Sequence, residues 1–368
     1  MKESTARFGP LDGVRGIAVL IVFLSHTSGR GMYVHPQLNF TGIGHVGVYL
    51  FFCLSAFLLA GKLFDQGISR ITVYQFYIRR FFRIVPLYYS VLLFVFVMQY
   101  FFGHYNESFL HIKNDVPGFV QHLIFYRGDG VFWSVVVEEQ FYLLVPLWIY
   151  LILRFRNAAV LIFGLIAAFN FTLYLCKYLH WPFNTEAIRY FTTNDRSSGN
   201  YVDIFIVTII MMYFENRYRS FLENNKRMFA VIANVLFLTL MVFTVVLVSE
   251  SFLGFRYVWY EFRYISMLYA VVFSVFIISV RLGNPVNRLL SFAVLRYVGI
   301  FGFSIYLLHM FVFEMVVGLP VIHYLKFILA GAGIFALSAA TYYGIEKPFI
   351  RLSYRLSDRI GSNLKMKA

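Results

Sequence analysis

The chain has 368 residues, of which 60% are apolar and 20% aromatic, while only 14% carry charge. A soluble domain covers its surface with about 25% charged residues, so this composition, with a mean hydropathy of +0.70, excludes a soluble globular protein and points to an integral membrane protein. The net charge of +14 and a pI near 9.7 would suggest nucleic acid in a soluble chain; here the cations also serve as loop anchors that set membrane topology.

Along the chain, ten apolar segments approach the roughly 20 residues that a span needs: 13–29, 44–64, 84–102, 131–153, 158–178, 199–214, 228–250, 258–280, 295–317 and 322–345. The runs are continuous, not alternating, which predicts an all-α polytopic protein of about ten transmembrane helices. The leading MKESTARFGP has no small-residue cleavage site, so the first run reads as an uncleaved span. With the N-terminus in the cytoplasm, nine of the 32 lysines and arginines fall in outer segments and the rest inside, the sense of the positive-inside rule. Both termini are then cytoplasmic, with a transmembrane domain over 1–346 and a basic tail over 347–368 lying along the inner surface. Cations spread over six inner segments do not form a nucleic-acid groove. Cys53 and Cys176 lie in apolar runs and read as packing residues. Two outer loops, 103–130 and 181–198, mix aromatic and polar residues, as a carbohydrate-binding surface or a solvated loop would.

Several titratable groups lie where an apolar environment makes them costly. In DGVRGIAVLIVFLSH (12–26), Arg15 and His26 are eleven residues apart, which places them on one helix face about 16 Å apart along the axis. Singly, Arg15 reads as a snorkelling anchor and His26 as an interfacial hydrogen-bonder; together they call for a polar cavity. In YIRRFFRIVPLYY (77–89), Arg79, Arg80 and Arg83 crowd the inner start of the third span. They suit either topology anchoring or a multi-phosphate ligand. In VFWSVVVEEQFYLLVP (131–146), Glu138 and Glu139 cannot face the same way, so at least one points inward and needs a partner such as His26 or an arginine. His309 lies on the ninth span with Ser304 and Tyr306 nearby. Glu346 and Lys347 meet the inner boundary of the tenth, with Pro348 expected to end the helix. Asp12, Trp133, Ser134, Glu139, Tyr142, Tyr306 and His309 complete the candidates for one cavity. Metal-ligand spacing, a Walker loop and a G-x-S-x-G elbow are all absent from the sequence.

These stretches together resemble the acyltransferase-3 family of polytopic membrane acyltransferases. LDGVRGIAVLIVFLSH is similar to the family's opening Arg–His signature, GVYLFFCLSAFLL (47–59) to its second-span signature and RRFFRIVPLYY to its basic third-span entry. WSVVVEEQFYLLVP, GFSIYLLH and IEKPF resemble its later blocks, so six motifs occur in order over nearly the whole chain. Ala56 and Tyr49 depart from the second-span pattern without touching a titrating residue. The chain ends soon after the last span, which reads as the stand-alone form without an appended hydrolase-like domain.

The resemblance implies O-acylation of a cell-surface or lipid-linked sugar, such as lipopolysaccharide O-antigen, at a bacterial inner membrane. The donor is a cytoplasmic acyl-CoA, most often acetyl-CoA, with no permanently bound cofactor and no metal. On that reading Arg79, Arg80, Arg83 and Arg15 meet the anionic donor, membrane lipid surrounds the helices and no nucleic acid takes part. His26 acts as general base with Glu138 orienting its ring, or alternatively forms an acyl-enzyme. The competing class is a transporter or flippase of a lipid-linked sugar, which would show broken helices in symmetric halves; the sequence carries no such repeat.

Overall fold

The structure is a computed structural model that describes residues 9–102, 116–178, 201–249, 252–254, 262 and 265–366. Fifteen α-helices are described: α1 (Gly9–Ser28), α2 (Gly44–Gln66), α3 (Arg70–Phe102), α4 (Val116–Leu123), α5 (Phe132–Phe155), α6 (Asn157–Tyr178), α7 (Val202–Arg217), α8 (Arg219–Asn224), α9 (Lys226–Val248), α10 (Ser266–Arg281), α11 (Asn287–Leu290), α12 (Ala293–Ile300), α13 (Gly302–Val317), α14 (His323–Thr341) and α15 (Lys347–Met366). Among the described residues, each of the ten expected segments overlaps a helix. Among the described residues, six helices are long and apolar enough to cross a membrane, and a bent pair makes a seventh.

The molecule is arranged inside out relative to a soluble bundle. Val231, Val235, Leu238 and Val242 of α9 are exposed as one stripe, as are Leu143, Leu147 and Tyr150 of α5. Such greasy outer faces are stable only against lipid tails. At the centre stands α2, the most buried of the long apolar helices, packed on α1, α5, α7 and α10. Its Tyr49, Leu50, Phe52, Cys53 and Phe57 are almost fully covered. Polar pairs stitch α7 to α10: Ser266 donates to Asp203 Oδ2 at 2.5 Å, Ser274 to Thr208 at 3.2 Å, and Arg281 to Glu215 at 2.8 Å. These bonds satisfy groups that would otherwise be stranded in an apolar interior.

Two expectations are corrected. The ninth segment, expected as one run over 295–317, is broken: α12 and α13 bend by 79°. The bend follows from packing, because α12 lies across the start of α1 at a separation that only glycine allows. A β-carbon on Gly299 would stand 1.8 Å from the Asp12 carbonyl oxygen, and one on Gly13 would stand 2.0 Å from that of Leu290. Second, Pro348 does not end the last helix. A π-helical turn, Tyr342–Glu346, precedes it, so the register is already shifted where the proline's missing N–H would break a bond. The tail is a helix, α15, docked along α3. Gln75 Nε2 donates to the Ser357 carbonyl at 3.1 Å and Phe82 stacks on Phe349.

The outer loops are seen only in part: residues 103–115 and 181–198 lie outside the described residues, as does the Cys176 side chain. In 116–130, the groups that looked suited to sugars fold the loop itself. The His122 Nδ1 donates to the Gly118 carbonyl at 2.8 Å, and the Asp129 backbone N–H donates to His122 Nε2 at 3.1 Å. Tyr88 and Tyr89 of α3 bond the carbonyls of His122 and Leu123. Burial lowers the His122 pKa below its ordinary value, against the opposing pull of the Gly118 carbonyl and Asp129, which suits an imidazole that accepts at Nε2.

The glycine contact is testable. Overpacking costs about 1–3 kcal/mol even where side chains can adjust, and here the obstacle is backbone. Gly299→Ala is expected to lower the melting temperature sharply in a detergent thermal-shift assay. Gly331→Ala, whose new methyl would meet only Phe23 at 3.7 Å, is expected to leave it unchanged.

Candidate functional site

Two clusters lie along α1, both completed by α13. The helices run in the same direction, so that Gly302 lies against Arg15, His309 against His26 and Glu314 against Arg30.

The first cluster is a cleft of about 670 Å³, including its open mouth, between α1, α2, α3, α5 and α13. Arg15, Arg80 and Arg83 line it, together with Ser55, Ser134, Glu138, Tyr142, Tyr306 and the rings of Phe51, Phe52 and Phe303. Each guanidinium already has a partner. Arg15 bonds Asp12 at 3.0 Å, Arg83 faces Glu346 at 3.6 Å, and Arg80 stands 5.7 Å from the Tyr142 ring centre. The Tyr142 hydroxyl donates to Glu138. Partnering holds the planar donors in place for an anion, which suits phosphate or carboxylate recognition.

The second cluster is an imidazole pair. His26 Nδ1 lies 2.8 Å from His309 Nε2, and His309 Nδ1 lies 2.7 Å from the Tyr306 carbonyl oxygen. The ring planes are parallel within 3°, which is compatible with an in-plane hydrogen bond between them. A carbonyl only accepts, so His309 Nδ1 carries its proton and, in the neutral ring, Nε2 accepts from His26 Nδ1. The remaining nitrogen, His26 Nε2, is thereby left with a lone pair. Residue 44, beside it, is glycine: even a β-carbon there would stand 3.5 Å from Nε2. One turn further along, Arg30 bonds Glu314 through Nε at 3.3 Å and Nη2 at 3.1 Å. This ion pair fixes the register of α1 on α13.

The structure thus brings together Arg15, Arg80, Arg83, Ser134, Glu138, Tyr142 and Tyr306 in the cleft, with Asp12 behind Arg15 and His26 with His309 beyond Tyr306. It separates the others. Arg79 turns to the tail helix, where Nε donates to Ser357 Oγ at 3.2 Å and the guanidinium stands 5.2 Å from the Tyr354 ring centre. Trp133 packs among His45, Phe52 and Tyr201. Glu139 points away from its neighbour, and its Oε1 has no hydrogen-bond partner among the described groups. The expected contact of Glu138 with the His26 ring is replaced: His309 holds the ring and Glu138 faces the arginines. Glu346, expected to mark a helix end, instead is buried, accepts from Ser304 and faces Arg83. Among the described residues no three His, Cys, Asp or Glu side chains gather as a metal site.

The acyltransferase-3 family model, described as an acyltransferase domain, matches residues 9–343. The peptidoglycan O-acetyltransferase OatA of Listeria monocytogenes is 26% identical over 333 residues, covering 81% of this chain and 48% of its own length. The acyltransferase MdmB of Streptomyces mycarofaciens is 29% identical over 40% of this chain and 41% of its own. The O-acetyltransferase OatA of Staphylococcus aureus is 27% identical over 42% of this chain and 27% of its own. The chain therefore spans half or less of the length of the curated relatives it matches. No solved structure matches it. With the opening Arg–His signature, the arginine entry and the late histidine block all lying within the matched residues, this chain belongs to the acyltransferase-3 family.

Proposed function

We propose that the protein is a ten-span O-acetyltransferase of a bacterial inner membrane, moving an acetyl group from cytoplasmic acetyl-CoA to a hydroxyl of a cell-surface glycan. The observation that carries this reading is the chain from the Tyr306 carbonyl through His309 to His26, on the helix whose other end carries Arg15. A donor with an anionic head and a long flexible arm suits an arginine cleft separated from the base by about 16 Å of helix. The names of the OatA relatives support an acetyl group, and that of the Listeria protein supports a glycan. Peptidoglycan is the acceptor printed for the Listeria protein; lipopolysaccharide O-antigen is the other glycan that this chemistry would serve.

In this mechanism His26 Nε2 takes the proton of the acceptor hydroxyl as its oxygen attacks the thioester carbonyl. The carbon–oxygen bond forms, the carbon–sulfur bond breaks, and the imidazolium returns the proton to the departing thiolate. As His26 gains positive charge, its Nδ1–H bond to His309 strengthens, so His309 stabilises the transition state more than the ground state. Arg80 and Arg83 bind donor phosphates. Glu138 acts on that side as a positioning group, through Tyr142 beneath Arg80, and Arg15 with Asp12 anchors the donor end of α1.

Two measurements test the assignment. His26→Ala should lower glycan acetylation by about two to four orders of magnitude, the usual range for losing a general base. Mass spectrometry of surface glycan fractions from cells making equal amounts of each variant checks this and reads the acceptor from which fraction gains the acetyl mass. Second, Arg80→Ala with Arg83→Ala should raise the KM for acetyl-CoA at least about tenfold, since a charge-assisted bond contributes about 1.5–3 kcal/mol. Arg79→Ala should leave KM within about twofold while lowering thermal stability, because its partners are on the tail helix.

A further inference from the structure

A second, smaller space lies beside the imidazole pair. It is a crevice of about 180 Å³ walled by Val19, Val22 and Phe23 of α1 and by Ile305, Tyr306 and His309 of α13, too tight to hold a water molecule. Tyr306 also lines the arginine cleft, so one residue forms a wall of both spaces. Its hydroxyl accepts a hydrogen bond from Ser134 Oγ of α5 at 2.7 Å, which ties the ring across the gap between α5 and α13. Its backbone carbonyl bonds His309 Nδ1 at 2.7 Å. Tyr306 therefore borders both spaces, with its hydroxyl tied to α5 and its main-chain carbonyl holding His309.

We infer that the Tyr306 ring, latched by Ser134, is the partition between the donor cleft and the His26–His309 pair, and that it limits transfer to short acyl groups. The inference rests on the O-acetyltransferase reading above and adds to it the residue that sets chain length. The bonds made and broken are those already described, with the thioester carbonyl carbon passing from sulfur to the sugar oxygen. What the partition governs is where the acyl tail lies while this happens. An acetyl group ends at one methyl. A longer tail needs apolar space that the phenol ring occupies, and the crevice behind it has no spare volume to offer. Because the carbonyl that holds His309 belongs to the main chain, shortening this side chain opens the passage without removing the acceptor for His309 Nδ1.

The test uses the full chain in lipid nanodiscs, with chitopentaose as acceptor and thiol release from acetyl-CoA and octanoyl-CoA as readout. The wild type should strongly prefer acetyl-CoA. Tyr306→Ala should reduce the acetyl-over-octanoyl preference in kcat/KM at least about tenfold through a gain with octanoyl-CoA, in keeping with the discrimination that apolar pockets achieve. Ser134→Ala, which keeps the ring and frees its hydroxyl, should shift the preference about fivefold in the same direction, the effect of one hydrogen bond. An unchanged preference in Ser134→Ala, or equal loss with both donors in folded Tyr306→Ala, overturns the partition while leaving the transferase reading intact. If Tyr306→Ala does not fold, Ser134→Ala decides. A wild type that releases no thiol from acetyl-CoA, either with chitopentaose or with the surface glycan fractions of the cells that make it, overturns the transferase reading and the partition with it.

Discussion

The carbonyl oxygen of Asp12 occupies the place that a β-carbon would take on Gly299, and both polar clusters depend on this approach. It lets α12 lie across the start of α1 and turns the chain sharply into α13, which then follows α1 in the same direction. From that course come Gly302 beside Arg15, His309 beside His26 and Glu314 beside Arg30. A side chain at residue 299 would push the helices apart, and a hydrogen bond of 2.8 Å such as that between the imidazoles does not survive a shift of an ångström. In an apolar medium, where burial of greasy surface drives little helix association, close backbone approach is a main source of packing energy.

The second constraint is the cost of charge in such a medium. An unpaired buried ion costs several kcal/mol, and the fold meets that cost locally. Asp12 answers Arg15, Glu346 answers Arg83 and Glu314 answers Arg30. The partners come from the same helix, from a π-helical turn some 260 residues away in sequence and from the paired helix α13. The arginines of the cleft are consequently fixed before a ligand arrives, and a polyanion meets oriented donors instead of flexible ones. The two histidines solve the same problem without charge: each neutral ring satisfies the other, and the surplus lone pair is left on the one nitrogen that faces glycine.

The elements themselves were largely legible in the sequence. Ten apolar segments read from residue type alone each overlap a helix among the described residues, because length and hydropathy are local properties that lipid selects directly. The pairing of Arg15 and His26 on one face of α1 was legible for the same reason, since helical geometry is fixed by spacing. The misreadings share a cause. Glu138 was a plausible partner for His26 and Arg79 a plausible neighbour for Arg80 and Arg83, for each suits the chemistry by type. Which of them meets the target depends on how α5 and α3 are rotated against α1 and α15, and hydropathy does not encode that rotation when helices are apolar almost all round.

The sequence by itself determined an all-helical membrane chain, the helix that carries Arg15 and His26, and the titratable residues available for chemistry. Spacing, hydropathy and residue type are sufficient for those. Only the tertiary structure decided that His309 holds His26, that Glu346 answers Arg83, that Arg79 belongs to the tail helix and that Tyr306 lines both spaces. Each of these contacts joins residues far apart in the chain, across helix faces whose mutual rotation is set by glycine contacts and buried polar bonds. The energy that selects them arises only once the helices have met.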